Sequence, residues 1–410
     1  MRALRALAAV AGLAALLAGC GSSGGSGAGR ISGSLLRVYS SQPLVGPLAD
    51  QGRDLVRAQQ LALTEAGDRA GRFRVAYTAL NNASPKTGTW DPAVVSADAR
   101  RAAQDPHTIA YLGEMDTGAS AVSIPILNEV GILQVSPTDG VAGLTRARGA
   151  GPGEPEKYYP ARDRNFVRLV PPDDLQAQAL VELLRMSGVR RLYLLHDEGL
   201  YGQRLGLAVA RSAGAAGIVL VRSRGIDARR VDPRDVAEDV AGNPADGLLY
   251  AGSAAETVPA LLAAIHAAAP RLALFGPSAL ADDGFVARLG PAGARLRLVA
   301  PWPPTRGLPA AGRRFARAFR SRYGVAPTPT AVYGYESMRL VLAAVRRAGR
   351  EGDDRATVTR AAFGLSPPGS ALGAYAIDPA GDTSLRRFAV YAVRGGRLAF
   401  LRTLEPAGTP

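Results

Sequence analysis

The sequence predicts an α/β protein of two doubly wound lobes, each a parallel sheet covered by helices, with antiparallel β at the C-terminus. Three observations carry that reading. From Ser34 to Trp302 short apolar runs alternate with amphipathic stretches, at a period of about 25–30 residues expected of βαβ units. The pattern breaks once, in the Gly/Pro-rich, charged "TRARGAGPGEPEKYYPARDRN" between about 141 and 165, a surface loop between two sets of units. A folded body of roughly 375 residues also exceeds the size at which one core keeps growing. The 47% hydrophobic content suffices for two cores.

The elements follow in order. "SLLRVYSS" (34–41) reads as a strand, and 48–67 as a helix with Leu55, Val56, Gln59 and Leu63 near one stripe. "RFRVAYTAL" is a second strand, and "WDPAVVSADARRAAQD" a helix opened by Asp91-Pro92. "HTIAYLG", a helix after "GEMDTG" and the strand "ILQVSP" complete the first set. After the loop come "NFVRLVP", "DLQAQALVELLRMSG", "RRLYLLHD", "YGQRLGLAVARSAGAAG" and "IVLVRSR". They continue with "DPRDVAEDVAGN", "DGLLYAG", "AETVPALLAAIHAAAP", "LALFGPS" and "RLRLVAPW". Two helical stretches occupy about 310–324 and 331–349. "LGAYAIDPAGDT" and "RRFAVYAVRGGRLAFL" then alternate with period two around a Gly-Gly turn, the pattern of antiparallel β.

The N-terminus reads as an export signal. Arg2 and Arg5 precede a short apolar run ending in Leu17-Ala18-Gly19-Cys20. That ending matches the lipobox of bacterial lipoproteins. Cys20 is the only cysteine, so it has no disulfide partner within the chain and suits lipid attachment. A Gly/Ser tether is expected over 21–33. The formal charge of +14 falls to +12 once Arg2 and Arg5 are removed. The basic residues are almost all arginine and are spread along the chain without interleaved aromatics, which argues against nucleic acid.

Open α/β sheets bind ligands at the carboxyl ends of their strands. Four such ends stand out: 42–46, 113–120, 136–140 and 196–202, with 250–256 and 275–283 as similar ends later. The segments "GEMDTGAS" and "SPTDG" bracket one helix and should lie side by side. Thr117 is placed to cap that helix or to offer a hydroxyl to a ligand. The backbone N–H groups of Gly118, Ala119 and Ser120 are orphan donors that favour an anion, so a small carboxylate suits them. Plain helix capping by Asp116, Thr117 and Ser120 is the alternative. The neighbouring "SPTDG" tips the reading toward ligand contact.

Catalytic signals are weak. His107 and His266 lie in structural contexts, and His196-Asp197 has neither a nucleophile elbow nor a metal cluster beside it. "GAGPGEP" lies in a loop with no strand before it, so it is no dinucleotide fingerprint. The expectation is a binding protein, not an enzyme, with no cofactor and no metal.

The strand ends together resemble those of the branched-chain amino acid binding proteins of ABC importers, the type I periplasmic binding proteins. "QPLVGPLADQGRD", "GEMDTGASAVSIPILNEVGILQVSP", "LLHDEGLYGQRL", "LLYAG" and "FGPS" carry the resemblance, which covers nearly the whole chain after the tether. It implies two lobes joined by a three-segment hinge, with crossovers near 165–170, 299–302 and 372–384. Lobe 1 is then 34–168 plus 302–372, lobe 2 is 169–301 plus 384–405, and 373–383 forms the third crossover. It implies that Thr117 holds a ligand carboxylate, that Thr138 after Ser136 offers a backbone amide, and that Gly140 stands where a threonine usually assists. Tyr201 would close over the ligand from lobe 2, and Gln51 stands where an aromatic often lines the side-chain pocket. Two departures matter: Ser278 replaces the acid that binds an α-amine, and Ala254 replaces a second tyrosine. Either Asp116, Asp139, Asp282 or Asp283 substitutes, or the ligand is not an α-amino acid. Asp139 is also counted among the ligand-contacting residues.

The resulting expectation is a lipid-anchored extracytoplasmic solute-binding protein, with a small amino-acid-like or carboxylate-bearing metabolite and an ABC permease as partners. An extracytoplasmic sensor of the same fold is the alternative. Whether the Tyr158-Tyr159 loop reaches the cleft mouth is left open.

Overall fold

The computed structural model describes residues 29–147 and 150–406. The signal segment, Cys20 and tether residues 21–28 lie outside the described residues.

The first lobe begins with β1 (Leu35–Gln42), α1 (Ala49–Glu65), β2 (Arg69–Ala70), β3 (Phe73–Asn81), α2 (Pro92–Gln104), β4 (Thr108–Leu112), α3 (Ser120–Glu129), β5 (Leu133–Ser136) and β6 (Phe166–Arg168). Its sheet has the order β2-β3-β1-β4-β5-β6, parallel except for the short edge strand β2. The chain then enters the second lobe: α4 (Asp173–Met186), β7 (Arg191–Asp197), α5 (Leu200–Ala215), β8 (Val219–Ile226), α6 (Pro233–Gly242), β9 (Gly247–Ala251), α7 (Val258–Ala268), β10 (Ala273–Gly276), α8 (Asp283–Ala287) and β11 (Leu296–Ala300). It returns to pack α9 (Ala310–Tyr323), α10 (Ala331–Ala348) and α11 (Arg355–Ala362) on the first lobe, with α10 against both α1 and the sheet. It crosses once more to add the hairpin β12 (Phe388–Arg394) and β13 (Arg397–Leu404). The second sheet has the order β13-β12-β11-β10-β9-β7-β8.

Local chemistry explains the element ends. Asp91 caps α2, its Oδ1 accepting from Ala93 N at 2.8 Å, with Pro92 preset for the first helical turn. Gly395 and Gly396 both take positive φ in the two-residue turn between β12 and β13, the geometry that matches strand twist in a tight hairpin. The strands of the sheet centre, such as β4 and β9, are buried on both faces and therefore read as continuous apolar runs.

Two expectations need correction, and one further helix and the place of Tyr158 and Tyr159 add to them. The tether does not run free to 33. Ile31 is buried and donates its N–H to Asp353 O at 2.8 Å, so the chain is docked from Gly29 onward. "LGAYAIDPAGDT" forms no strand: an isolated bridge joins Ile377 and Thr383 around a turn. The helix α11 was not anticipated, because eight residues carry too short a periodic signal. Tyr158 and Tyr159 do not reach the cleft mouth. They are buried against Ile124, Leu144 and Phe166, with hydroxyls on Glu154 and Leu144 O.

A buried ion pair ties two of the crossovers together. Arg168, at the end of β6, is fully buried, and its Nε donates to Asp382 Oδ1 at 2.6 Å. Its Nη1 donates to Val141 O at 2.8 Å, and Thr145 bonds both partners.

Candidate functional site

The carboxyl ends of both sheets face each other across a cleft of about 620 Å³. Lobe 1 lines it with Leu48, Gln51, Trp90, Asp116, Thr117 and Thr138, among others. Lobe 2 contributes the turns after β7 to β10, including Tyr201, Arg229, Ala254 and Ser278, and Trp302 closes the hinge side. Each turn sits there because parallel strands send all their carboxyl ends in one direction.

The two segments singled out in the sequence do interlock, since β4 and β5 are neighbours paired Ala110–Leu133 to Leu112–Val135. Ser136 Oγ donates to Glu114 O at 2.7 Å and accepts Asp139 N at 2.8 Å. Thr138 Oγ1 donates to Met115 O at 2.7 Å. The outcome differs from a ligand seat. Asp139 is fully buried, and its carboxylate accepts from Gly118 N and Ser120 N, both at 3.1 Å, and from Val141 N at 3.2 Å. The start of α3 is therefore capped by the protein's own carboxylate. Burial pushes the Asp139 carboxyl up, and these backbone donors pull it back only in part.

The expected residues divide accordingly. Thr117, Thr138, Gln51, Tyr201, Ser278 and Ala254 line the cleft. Gly118, Ala119, Ser136, Asp139 and Gly140 are buried and stand behind these lining residues, where Ser136 and Asp139 tie the two turns together. Gly140 is closely packed: a Cβ there would stand 2.4 Å from Asp173 Oδ1, so a larger residue requires the Asp173 side chain to move.

The substitute acids divide as well. Asp116 lines the cleft, 8% exposed. Asp139 is spent on α3, and Asp283 is half-exposed beside Arg397 and Leu398 N, on β13. Asp282 caps α8 through Phe285 N at 2.8 Å and also accepts Gln51 Nε2 from the other lobe at 2.9 Å.

On lobe 2, the Tyr201 hydroxyl accepts Gln176 Nε2 at 3.0 Å, and Gln176 Oε1 accepts Ser278 N at 2.9 Å. The phenol is thereby held in place beneath the cleft. Asp197 Oδ1 and Oδ2 are taken up by Gly199 N and Ser253 N. Sequence reasoning missed Trp90, Trp302, Arg229 and Arg230 as lining residues. Trp90 stood next to a recognised cap, but nothing local shows which way it turns.

Burial also shapes the lobe 1 floor. It pushes Glu114 up to about 8, against hydrogen bonds from Asn82 and Tyr111 that lower it. It pushes Asp116 up to about 7, with the Asp139 charge adding to the effect. Among the described residues no group of three or more acidic, histidine or cysteine side chains is arranged to hold a metal ion. Nor is any described helix long and apolar enough to cross a membrane.

A model of the periplasmic binding protein family matches residues 40–397. The chain belongs to that family. As a periplasmic binding protein it shares its fold with a leucine-binding protein of Thermotoga maritima, at TM-score 0.78 and 18% identity, over 90% of this chain and 99% of that one. A solute-binding protein of an ABC transporter from R. palustris, solved with benzoate, matches at TM-score 0.75 and 20% identity, over 92% and 98%. A branched-chain amino acid substrate-binding protein from Streptococcus pneumoniae, solved with isoleucine, matches at TM-score 0.73 and 15% identity, over 91% and 100%. No curated protein sequence matches the chain.

Proposed function

We propose that this periplasmic binding protein is the lipid-anchored solute-binding component of an ABC importer, capturing a small polar metabolite and delivering it to a membrane permease. The observation that carries the reading is the cleft itself. It is walled by polar side chains of both lobes and bridged by Gln51 and Asp282, so closure about the hinge encloses a solute. The transporter roles of the R. palustris and Streptococcus pneumoniae proteins support it. Lipid attachment rests on Leu17-Ala18-Gly19-Cys20.

Cells lacking the protein should lose uptake of whatever solute raises its melting temperature in a metabolite screen. Unchanged uptake would sink the importer role. Cys20→Ser should release the protein from membranes, and continued retention would overturn the anchor. Thr117→Ala should weaken solute binding by more than it lowers the melting temperature of solute-free protein. A fall in stability alone would return Thr117 to a helix-end role.

A further inference from the structure

Resting on the solute-binding reading, we infer that the solute is anchored as a cation: a protonated amine on a small apolar body, received by Asp116. The first ground is exclusion. The α3 donors that would take an anion are already filled by Asp139 through Gly118 N and Ser120 N. Those two backbone N–H groups are therefore closed to an incoming carboxylate, which would also stand beside the Asp116 and Asp139 carboxyls.

The second ground is the charge census of the cleft. Asp116, Asp197, Glu198, Asp227, Arg229 and Arg230 line it. Both arginines are exposed, and Arg230 leans toward Asp227 at 3.7 Å. Asp197 has both oxygens occupied by backbone N–H groups. Asp116 is different. Its carboxyl accepts from Asn82 Nδ2 at 3.3 Å, a donor that is closer to Glu114 Oε2 at 2.8 Å. No lysine or arginine pairs with it among the described residues. Besides its own backbone N–H, this buried carboxyl has one long, shared side-chain hydrogen bond and no cation, and a ligand ammonium supplies both the charge and further donors.

The third ground is the surrounding surface. Trp90, Tyr201 and Trp302 line the same cleft, and aromatic faces favour a cation further. The Trp302 indole N–H is buried without an acceptor in a side chain only 6% exposed. An amine that also carries a neutral oxygen would satisfy it.

The test is calorimetric titration of the full-length protein with two matched sets: leucinamide and benzylamine against 4-methylpentanoate and benzoate. The amines should bind at least about tenfold more tightly, the factor corresponding to about 1.4 kcal/mol. Asp116→Asn should erase that preference at an unchanged fold by circular dichroism, and Asp116→Glu should retain it. Acids binding as well as amines, or an amine preference surviving in Asp116→Asn, would overturn the cationic anchor while leaving solute capture intact. Absence of binding by every probe at millimolar concentration also overturns it. The importer role fails separately, on the uptake measurement.

Discussion

Gln51 of lobe 1 donates from Nε2 to Asp282 Oδ2 of lobe 2 at 2.9 Å, while its Oε1 accepts Thr330 Oγ1 at 3.3 Å. The same side chain thus lines the cavity and holds the lobes together. A net hydrogen bond of this kind is worth about 1 kcal/mol. Gln51→Ala should therefore shift the solute-free protein toward an open form, read as a larger radius of gyration in X-ray scattering, and weaken solute binding about fivefold. An unchanged radius would show that other contacts set the closure.

Glu154 and Arg204 form a second bridge. Glu154, buried in the loop after β5, accepts from Tyr158 at 2.8 Å and Gly151 N at 2.6 Å, and faces Arg204 of α5 at 3.6 Å. Burial raises its carboxyl, but these donors, Lys157 and Arg204 outweigh that and hold it below the usual range. Because α5 begins at the cleft, Arg204→Met should loosen the closed form, and the effect of salt on closure should shrink in the variant. Equal salt dependence in both proteins would remove this bridge from the closing mechanism.

The lobe 1 floor predicts an unusual pH response. Burial pushes Glu114 up to about 8 and Asp116 to about 7. Between the ordinary carboxylate range and those values the folded chain holds protons that the unfolded chain has released. The contribution of these two carboxyls to stability is therefore full below the ordinary carboxylate range and declines as pH rises through that window. The solute-free protein should melt at a higher temperature near pH 5.5 than near pH 8.5, by roughly the linkage of one or two carboxyls. Glu114→Gln should flatten the slope; a melting temperature that climbs with pH would contradict the assignment.

Asp382 gives the opposite sign in a different window. Burial raises its carboxyl, but Arg168 and Arg146 beside it overcome this and hold it low. Its stabilising share is present at neutral pH and is lost as pH falls through its depressed value. Removing one member of a buried pair leaves the other uncompensated, so Asp382→Ala should lower unfolding free energy by about 3–5 kcal/mol. Chemical denaturation at neutral pH checks this, and a loss under about 1 kcal/mol would show that Arg168 finds other partners.

The repeating strand–helix order, the caps at Asp91 and the Gly395–Gly396 turn were legible because each depends on residues close in sequence. So was the placement of Thr117, Thr138 and Tyr201 at strand ends, which parallel topology turns toward one cleft. The loop carrying Tyr158 and Tyr159 was legible only as a loop, since its burial depends on Ile124 and Phe166 from distant elements.

The sequence by itself determined that a helix begins just after "GEMDTG" with donors in need of an anion, and that "SPTDG" lies beside it. It could not decide which anion. Only the tertiary structure brought Asp139 within 3.1 Å of Gly118 N and Ser120 N, because the pairing of β4 with β5 fixes the distance between their two turns. The same register left Asp116 on the cleft side of that turn. A difference of a few ångströms, set by strand pairing and invisible in local composition, thus exchanged a carboxylate-binding helix end for a carboxylate-lined floor.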